Sequence, residues 1–291
     1  MKSRNLVVAR SGEKSLHMNW LKGAEPDFDL IVTFYGNEIP QSWGETEKFY
    51  EIIPIKGSKW KGLHQYLTST GAWKEYDYIL LPDDDLLCSA QELNAVFNTA
   101  RLMNTDLCQP ALDRNSYFSH AITLKHASFN YRYTNFVELM IPCLSRRMLE
   151  ATLDLFTVTE SGWGMDNYWW EIIQKNGFSI PVIIDDITVT HTRPVGSANN
   201  GTSGGGLSPR DELKLFSEKF SFTPMPLTNL GGKPRHYEKY IVPADKNIDF
   251  EMLLIKDIIL MSGQVNTATQ VNYIMQQQNM FQKMRQIAKP A

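Results

Sequence analysis

Cysteine is scarce in this chain, 3 in 291 residues. Cys88, Cys108 and Cys143 are far apart and set in apolar surroundings, so a disulfide framework is excluded, and so is a structural metal site built from close-spaced Cys and His pairs. Buried thiols in a reducing cytosol are expected instead. No apolar run approaches the ~20 residues of a membrane span. Met1-Lys2-Ser3-Arg4 passes straight into Asn5-Leu6-Val7-Val8-Ala9 without the apolar stretch of a signal peptide, so the expected location is cytoplasmic and the tripeptide Asn200-Gly201-Thr202 carries no glycan. An excess of positive charge is missing too. With a formal net charge of -3 there is no basic footprint, which argues against nucleic acid as a partner. Neither a G-x-G-x-x-G after a strand nor a P-loop is present. The stretch Ile55-Lys56-Gly57-Ser58-Lys59-Trp60-Lys61-Gly62 lacks the required glycine spacing and the Gly-Lys-Ser/Thr order. No internal repeat is found.

What is present suffices for a large core: 43% of residues are hydrophobic and 21% charged, a balance that suits one α/β domain with or without an appendage. Short β-branched runs recur at Leu6 to Ala9, Leu30 to Phe34, Tyr50 to Ile55 and Tyr76 to Leu81, separated by amphipathic segments such as Gly62 to Thr70. The pattern predicts a mostly parallel sheet covered on both faces. Further strands are expected at Leu107 to Leu112, Ala121 to Leu124, Val137 to Pro142 and Val182 to Val189. Helices are expected at Gln91 to Met103, Arg146 to Phe156 and Asp166 to Lys175. Residues 196 to 208, GSANNGTSGGGLS, read as a mobile loop. Beyond a Pro- and Gly-rich connector from Thr223 to Pro234, Asp249 to Met261 and Thr269 to Ala288 read as helices. In the second, Ile274, Phe281, Met284 and Ile287 share a stripe, and Lys283, Arg285 and Lys289 suit the negative end of the dipole. Such a hairpin packs on the domain or on a second subunit, or touches a membrane surface peripherally.

In open sheets of this kind ligands bind beyond the carboxyl ends of the strands. There the strand Tyr76 to Leu81 runs into Pro82-Asp83-Asp84-Asp85, three adjacent carboxylates whose repulsion a divalent cation would relieve. Side chains alternate along an extended segment, so Asp83 and Asp85 face one side and Asp84 the other. Asp as a turn and cap residue is the bland alternative. A second signal is Ser161-Gly162-Trp163-Gly164-Met165-Asp166. It presents an aromatic face for a sugar ring and a carboxylate to take a hydroxyl proton, or else simple core packing and an N-cap. The third is His191 in Thr188-Val189-Thr190-His191-Thr192-Arg193-Pro194, an imidazole able to ligate Mn²⁺ or to serve structurally. It stands before a loop that could close over a diphosphate. Arg10 after the first strand, with Lys56, Lys59 and Lys61, supplies positive charge for phosphates, although a solvated turn also accounts for lysines of this kind.

This order of parts resembles the GT-A glycosyltransferases, the Rossmann-like nucleotide-diphospho-sugar transferases in which an Asp-x-Asp motif and a later His hold Mn²⁺ on the donor diphosphate. The Gly162-Trp163-Gly164-Met165-Asp166 turn resembles the acceptor and base segment of inverting galactosyltransferases of that fold. More closely, Lys59-Trp60, Tyr76-Asp77-Tyr78-Ile79, Asp83-Asp84-Asp85-Leu86, Gln109-Pro110-Ala111-Leu112-Asp113, His120-Ala121-Ile122-Thr123 and the same Gly-Trp-Gly turn are similar to a plant and bacterial family labelled only as a domain of unknown function and regarded as glycosyltransferase-like. The likeness covers roughly residues 4 to 196.

The resemblance implies an α/β GT-A domain over residues 1 to 235, a mixed sheet flanked by helices, with a C-terminal helical extension over 236 to 291. It implies a Mn²⁺ or Mg²⁺ ion on Asp85, His191 and Asp83, and a nucleotide-diphosphate sugar, a UDP-sugar, contacted by Arg10, Lys59, Asp83 and Asp84. Asp166 is then the general base, and Trp163 and Trp169 meet the acceptor. The reaction would be an inverting transfer to a saccharide or lipid-linked glycan in bacterial surface polysaccharide synthesis. Gln109 and His120 receive no derived role. Two other classes share the pocket residues: a non-catalytic nucleotide- or saccharide-binding module, and a metal-dependent phosphohydrolase or nucleotidyltransferase.

Overall fold

The computed structural model describes residues 5–44, 50–195, 207–236, 248–261, 263 and 265–287. Its strands are β1 (Asn5–Ser11), β2 (Asp29–Phe34), β3 (Tyr50–Pro54), β4 (Tyr78–Leu80), β5 (Leu86–Leu87), β6 (Leu107–Leu112), β7 (Phe129–Thr134), β8 (Cys143–Ser145), β9 (Val182–His191) and β10 (Asn229–Pro234). The helices are α1 (Lys59–Thr70), α2 (Ala90–Met103), α3 (Arg146–Thr152), α4 (Met165–Asn176), α5 (Pro209–Phe220), α6 (Ile248–Leu260) and α7 (Thr267–Ile287). The strands hydrogen-bond in the order β10-β7-β9-β6-β8-β4-β1-β2-β3, and β5 pairs with β9. β3, β2, β1 and β4 are parallel. β8 runs antiparallel between β4 and β6, and β7 and β10 are antiparallel at the far side. The expected α/β architecture, a mixed sheet flanked by helices with a helical appendage, is what the chain forms.

The two-residue period of a strand explains the layering. Along β1, Val7 and Ala9 enter one core with Leu30, Val32 and Leu80, covered by Leu93, Val96 and Phe97 of α2. Leu6 and Val8 enter the opposite core with Ile31 and Ile79, under Trp60 and Leu63 of α1 and Met165, Trp169 and Ile173 of α4. Both faces are therefore apolar, and the strands read as continuous hydrophobic runs. α2 begins with a capping box in which the Ser89 hydroxyl accepts from Gln91 N–H and the Glu92 carboxylate accepts from Ser89 N–H. That arrangement satisfies two otherwise orphaned donors.

A third core lies under the C-terminal helices. Phe250, Leu254 and Ile258 of α6 and Tyr273 and Phe281 of α7 pack on Phe129 of β7 and Ile183 of β9. The buried stripe of α7 is thus Tyr273, Gln277 and Phe281, one position off the expected Ile274, which is only partly buried. Met252, Ile259 and Leu260 of α6 and Val271 and Met275 of α7 remain exposed. Polar pins hold the hairpin: Asp257 accepts from Ser128 N–H and Oγ at 2.8 Å each, and Gln277 bonds Asn229 N–H and the Leu227 carbonyl.

Several local expectations are corrected. Residues 121–123 form a 3₁₀ turn rather than a strand. Residues 137–142 lie in no strand, although Leu81 N–H and Asp83 N–H donate to Pro142 and Met140 carbonyls and so tie that segment beside β4. Of the Thr223 to Pro234 connector, residues 229–234 are strand β10. α5, β7 and β8 were not anticipated. β9 breaks register against β6 between Pro110 and Ala111. Proline has no N–H for the ladder, and the bulge sends Asp185 to the buried guanidinium of Arg132 at 2.8 Å. The expected mobile loop falls on residues 196–208, of which 196–206 lie outside the described residues.

Candidate functional site

β1 and β4 end side by side, with an isolated parallel bridge from Arg10 to Asp83. The acidic triplet therefore leaves the sheet where the loop after β1 also leaves it. Backbone bonds spread the three carboxylates apart. Asp84 turns toward the β1 loop, where its carboxylate accepts from Gly12 N–H at 2.8 Å and from Arg193 Nη1 at 3.2 Å. Its carbonyl accepts from Leu16 N–H, and burial pushes its pKa up to about 6. Asp84 thus clamps the loop of Gly12 to Leu16 and the end of β9 together.

Asp83 and Asp85 face the other way, with His191. One ligand atom from each of these three lies within 4.8 Å of the others. β5 makes this possible, because its antiparallel pairing sets Leu86 opposite His191 and so brings Asp85 beside a histidine 106 residues later. His191 Nδ1 lies 2.8 Å from the Tyr117 carbonyl. A carbonyl only accepts, so Nδ1 carries a proton and Nε2 points at Asp85 Oδ2, 3.2 Å away. Burial opposes charge on this ring, but the hydrogen bond and charge of Asp85, with the Tyr117 carbonyl, raise its pKa. Asp85 Oδ1 is buried with no partner. Lys59, in the first turn of α1, donates Nζ to Asp83 Oδ1 and to the Leu139 carbonyl at 2.7 Å.

These residues fit a divalent cation. An orphaned buried carboxylate oxygen is costly, and two carboxylates with one imidazole presented through Nε2 form a ligand group for a divalent cation. The backbone carbonyl on Nδ1 fixes the tautomer, as metal-ligating histidines require.

The second half of the site is built on the turn before α4. Gly162 has φ +85 and lies where a Cβ would sit 2.4 Å from the Trp60 ring. Gly164, at φ +97, caps α4 against Phe216. No side chain fits either position without strain. The turn is latched from outside by α5: the Glu212 carboxylate accepts from Glu160 N–H, Ser161 N–H and Ser161 Oγ. Asp166 follows in the first turn of α4. Its Oδ1 accepts from Asn167 N–H and Nδ2, and burial pushes its pKa up to about 7.

Glu138 was not singled out in the sequence. It is 6% exposed, and its N–H donates to Gln109 Oε1 at 2.6 Å. That bond supplies the role Gln109 lacked. Burial, then the charge of Asp166, pushes the Glu138 pKa up to about 8, and His191 and Asp83 act on it electrostatically as well. Its segment joins the two halves, since the Met140 carbonyl accepts from Asp83 N–H and a Cβ on Gly162 would sit 3.0 Å from Leu139 Cδ1. A lone charge inside the apolar run Phe136-Val137-Glu138-Leu139-Met140 was the available signal. His120 packs on Phe136 at 4.8 Å and lies 6.3 Å from the half-buried Trp163 ring, and burial lowers its pKa to about 4, so it is neutral.

Two of the expected contact residues are buried. Trp169 is 1% exposed and lies in the second core, 6.4 Å from Trp60. Arg10 is 4% exposed and spends its guanidinium on the carbonyls of Thr33, Ile55, Gly57 and Ser58. It ties the ends of β1, β2 and β3 to the start of α1 and has little left for a phosphate. Lys56 likewise bonds the Tyr35 and Gly36 carbonyls, and Lys61 pairs with Glu160.

No known family's sequence profile and no curated protein sequence matches the chain. Among solved structures it is similar to a putative nucleotide-diphospho-sugar transferase from Desulfovibrio desulfuricans G20, at 10% identity over 75% of this chain and 96% of that one with TM-score 0.40. TarS of S. aureus shares 9% identity over 98% of this chain and 54% of its own, with TM-score 0.44. A197 from STIV shares 14% over 65% and 85%, with TM-score 0.36. Likenesses of this size assign no activity, which has to be argued from the site.

Proposed function

We propose that the chain is a metal-dependent glycosyltransferase of the GT-A type that uses a nucleotide-diphosphate sugar. The observation that carries this reading is the Asp83, Asp85 and His191 group beyond the carboxyl end of β4, joined electrostatically through buried Glu138 to buried Asp166. A cation site for the diphosphate and a proton acceptor are what displacement of a diphosphate by a hydroxyl requires.

Asp83, Asp85 and His191 would hold Mn²⁺ or Mg²⁺, which when bound supplies charge stabilisation for the departing diphosphate. Lys59, already on Asp83, adds an ammonium to that side. Trp163 offers its half-buried ring to the acceptor sugar. Asp166 Oδ1 is engaged by Asn167, so Oδ2 is assigned to receive the acceptor's hydroxyl proton. A base poised near neutrality matches that task. The acceptor oxygen then bonds the anomeric carbon from the face opposite the diphosphate. The bond from that carbon to the phosphate oxygen breaks, and the nucleoside diphosphate leaves with the electron pair. The configuration inverts. By the resemblance in sequence, the donor is a UDP-sugar and the acceptor a saccharide or lipid-linked glycan of a bacterial surface polysaccharide.

The test is a thermal-shift panel of nucleotide sugars with and without Mn²⁺, on the wild type and Asp85→Ala, followed by product analysis. Stabilisation that needs both Mn²⁺ and Asp85, with release of intact nucleoside diphosphate, supports the reading. Release of inorganic phosphate or pyrophosphate would make the protein a phosphohydrolase or nucleotidyltransferase. Binding without transfer or donor hydrolysis would make it a binding module.

A further inference from the structure

In any such transfer the anomeric carbon is bonded to the diphosphate on one face and attacked by the hydroxyl on the other. On the glycosyltransferase reading, on which this inference rests, the diphosphate lies at Asp83, Asp85 and His191 and the hydroxyl at Asp166. The anomeric carbon must lie between them, with the rest of the sugar ring beside it. Glu138 stands on the segment beside that carbon: the next two residues bond Lys59 and Asp83, and Leu139 lies against Gly162 of the turn before Asp166.

Ser119 hydrogen-bonds the Glu138 carboxyl, and one carboxyl oxygen is left open. The side chain is 6% exposed, and Oε2 is fully enclosed without a hydrogen-bond partner. A buried polar atom left unpaired destabilises a fold, so such atoms mark places where a ligand completes the bonding. The backbone around it cannot shift to find a partner. Glu138 N–H is held by Gln109 Oε1, the Leu139 carbonyl by Lys59 Nζ and the Met140 carbonyl by Asp83 N–H at 2.8 Å. Two of those three bonds run to Asp83 or to the lysine that pairs with it. The segment carrying Glu138 is therefore fixed relative to the metal group. Among the described residues the metal-ligand group comprises Asp83, Asp85 and His191 without Glu138.

We propose that Glu138 recognises the transferred sugar, its carboxyl exchanging a hydrogen bond with a ring hydroxyl beside the anomeric carbon. A hydroxyl both donates and accepts. The unpaired Oε2 can accept a hydrogen bond from such a hydroxyl. The ligand class is a neutral hexose or pentose with a free hydroxyl at the contacted carbon. A site built around one such bond discriminates strongly against sugars that fail to make it.

The test separates sugar from nucleotide. Binding of UDP and GDP alone, and of UDP-glucose, UDP-galactose, UDP-N-acetylglucosamine and GDP-mannose, is measured calorimetrically with Mn²⁺ on the full chain. The variants are Glu138→Ala, Glu138→Met and Glu138→Gln, each checked for a cooperative melt. We expect the apolar variants to bind the nucleoside diphosphate within about twofold of wild type and the preferred nucleotide sugar about 10- to 100-fold more weakly. Glu138→Gln, whose amide still donates and accepts, should keep most of the sugar affinity. An unchanged ratio of sugar nucleotide to nucleoside diphosphate affinity, in whichever apolar variant folds, overturns the inference. So does an equal loss for both ligands, which would make Glu138 part of the metal or scaffold. A wild type that binds neither UDP nor GDP with Mn²⁺ overturns the glycosyltransferase reading itself, and is recognised before any variant is compared.

Discussion

Asp166 and Glu138 hold their protons to about pH 7 and about pH 8 because burial disfavours the charged carboxylate. In the unfolded chain both ionise near their ordinary values of 3.8 and 4.5. Both folded pKa values are thus raised, so their contribution to stability is complete below about pH 4 and is lost as the pH rises through 7 and 8. The metal-free protein should therefore melt progressively lower between pH 5 and pH 8.5. Asp166→Asn and Glu138→Gln, which cannot ionise, should flatten that slope. At pH 8.5 each should melt several degrees above wild type, at about 2–4 °C per kcal/mol for a domain of this size, and the difference should shrink steadily toward pH 4. Circular dichroism melts in EDTA read this directly. A wild type whose melting temperature is flat or rises over that range contradicts the burial argument.

The metal group makes a second prediction at the same scale. A ligand at 100 times its dissociation constant stabilises the folded state by about 2.7 kcal/mol, or roughly 5–11 °C here. Saturating Mn²⁺ should give a shift of that order in wild type and none in His191→Ala or Asp85→Asn. A shift that survives both substitutions would place the ion elsewhere.

Among the elements, α5 matters beyond its size. Its Glu212 satisfies two backbone N–H groups and a hydroxyl of the turn that carries Trp163 and precedes Asp166. Glu212→Ala leaves those donors unpaired, at a cost of about 1–3 kcal/mol. The melting temperature should fall by roughly 2–12 °C. Turnover should drop as well, while metal binding at Asp85 and His191 stays intact, because the turn and the metal group stand on different elements. Equal loss of metal binding would show the two halves to be one unit. Trp169→Ala tests the role of that residue. As a core side chain it should cost about 3–5 kcal/mol and leave the acceptor KM of the surviving folded protein unchanged.

At the scale of the molecule, the C-terminal hairpin is not a separate body. Phe250, Leu254 and Phe281 share one core with Phe129 and Ile183 of the sheet, and Asp257 and Gln277 reach into β7, β10 and their flanks. Scanning calorimetry should therefore show one cooperative transition. Leu254→Ala, by about 2–5 kcal/mol, should lower all of it rather than split off a minor peak. Two resolved transitions would mean that α6 and α7 melt independently of the sheet.

Much of this was legible in the residues alone. The parallel strands β1, β2, β3 and β4, the long helices α2, α4, α6 and α7, the acidic strand end and the Gly-Trp-Gly turn each depend on local periodicity, capping or backbone conformation, which neighbours in sequence carry. What lay beyond reach depended on pairing between distant segments. β8, β10 and the bulge at Asp185 exist because of their partners, and Pro110 acts only through the strand beside it. The same reason separates the site residues. Asp85 and His191 meet only because β5 pairs with β9, and Glu138 and Asp166 acquire raised pKa values only when tertiary packing removes their water. Arg10 and Trp169 look like ligand contacts by type and position, yet the fold turns one toward four carbonyls and the other into the core. Composition and local pattern thus determined which chemical groups this protein has and which strands carry them, and tertiary structure decided which groups face one another and which lose their solvent, because burial and long-range pairing are properties of the folded chain.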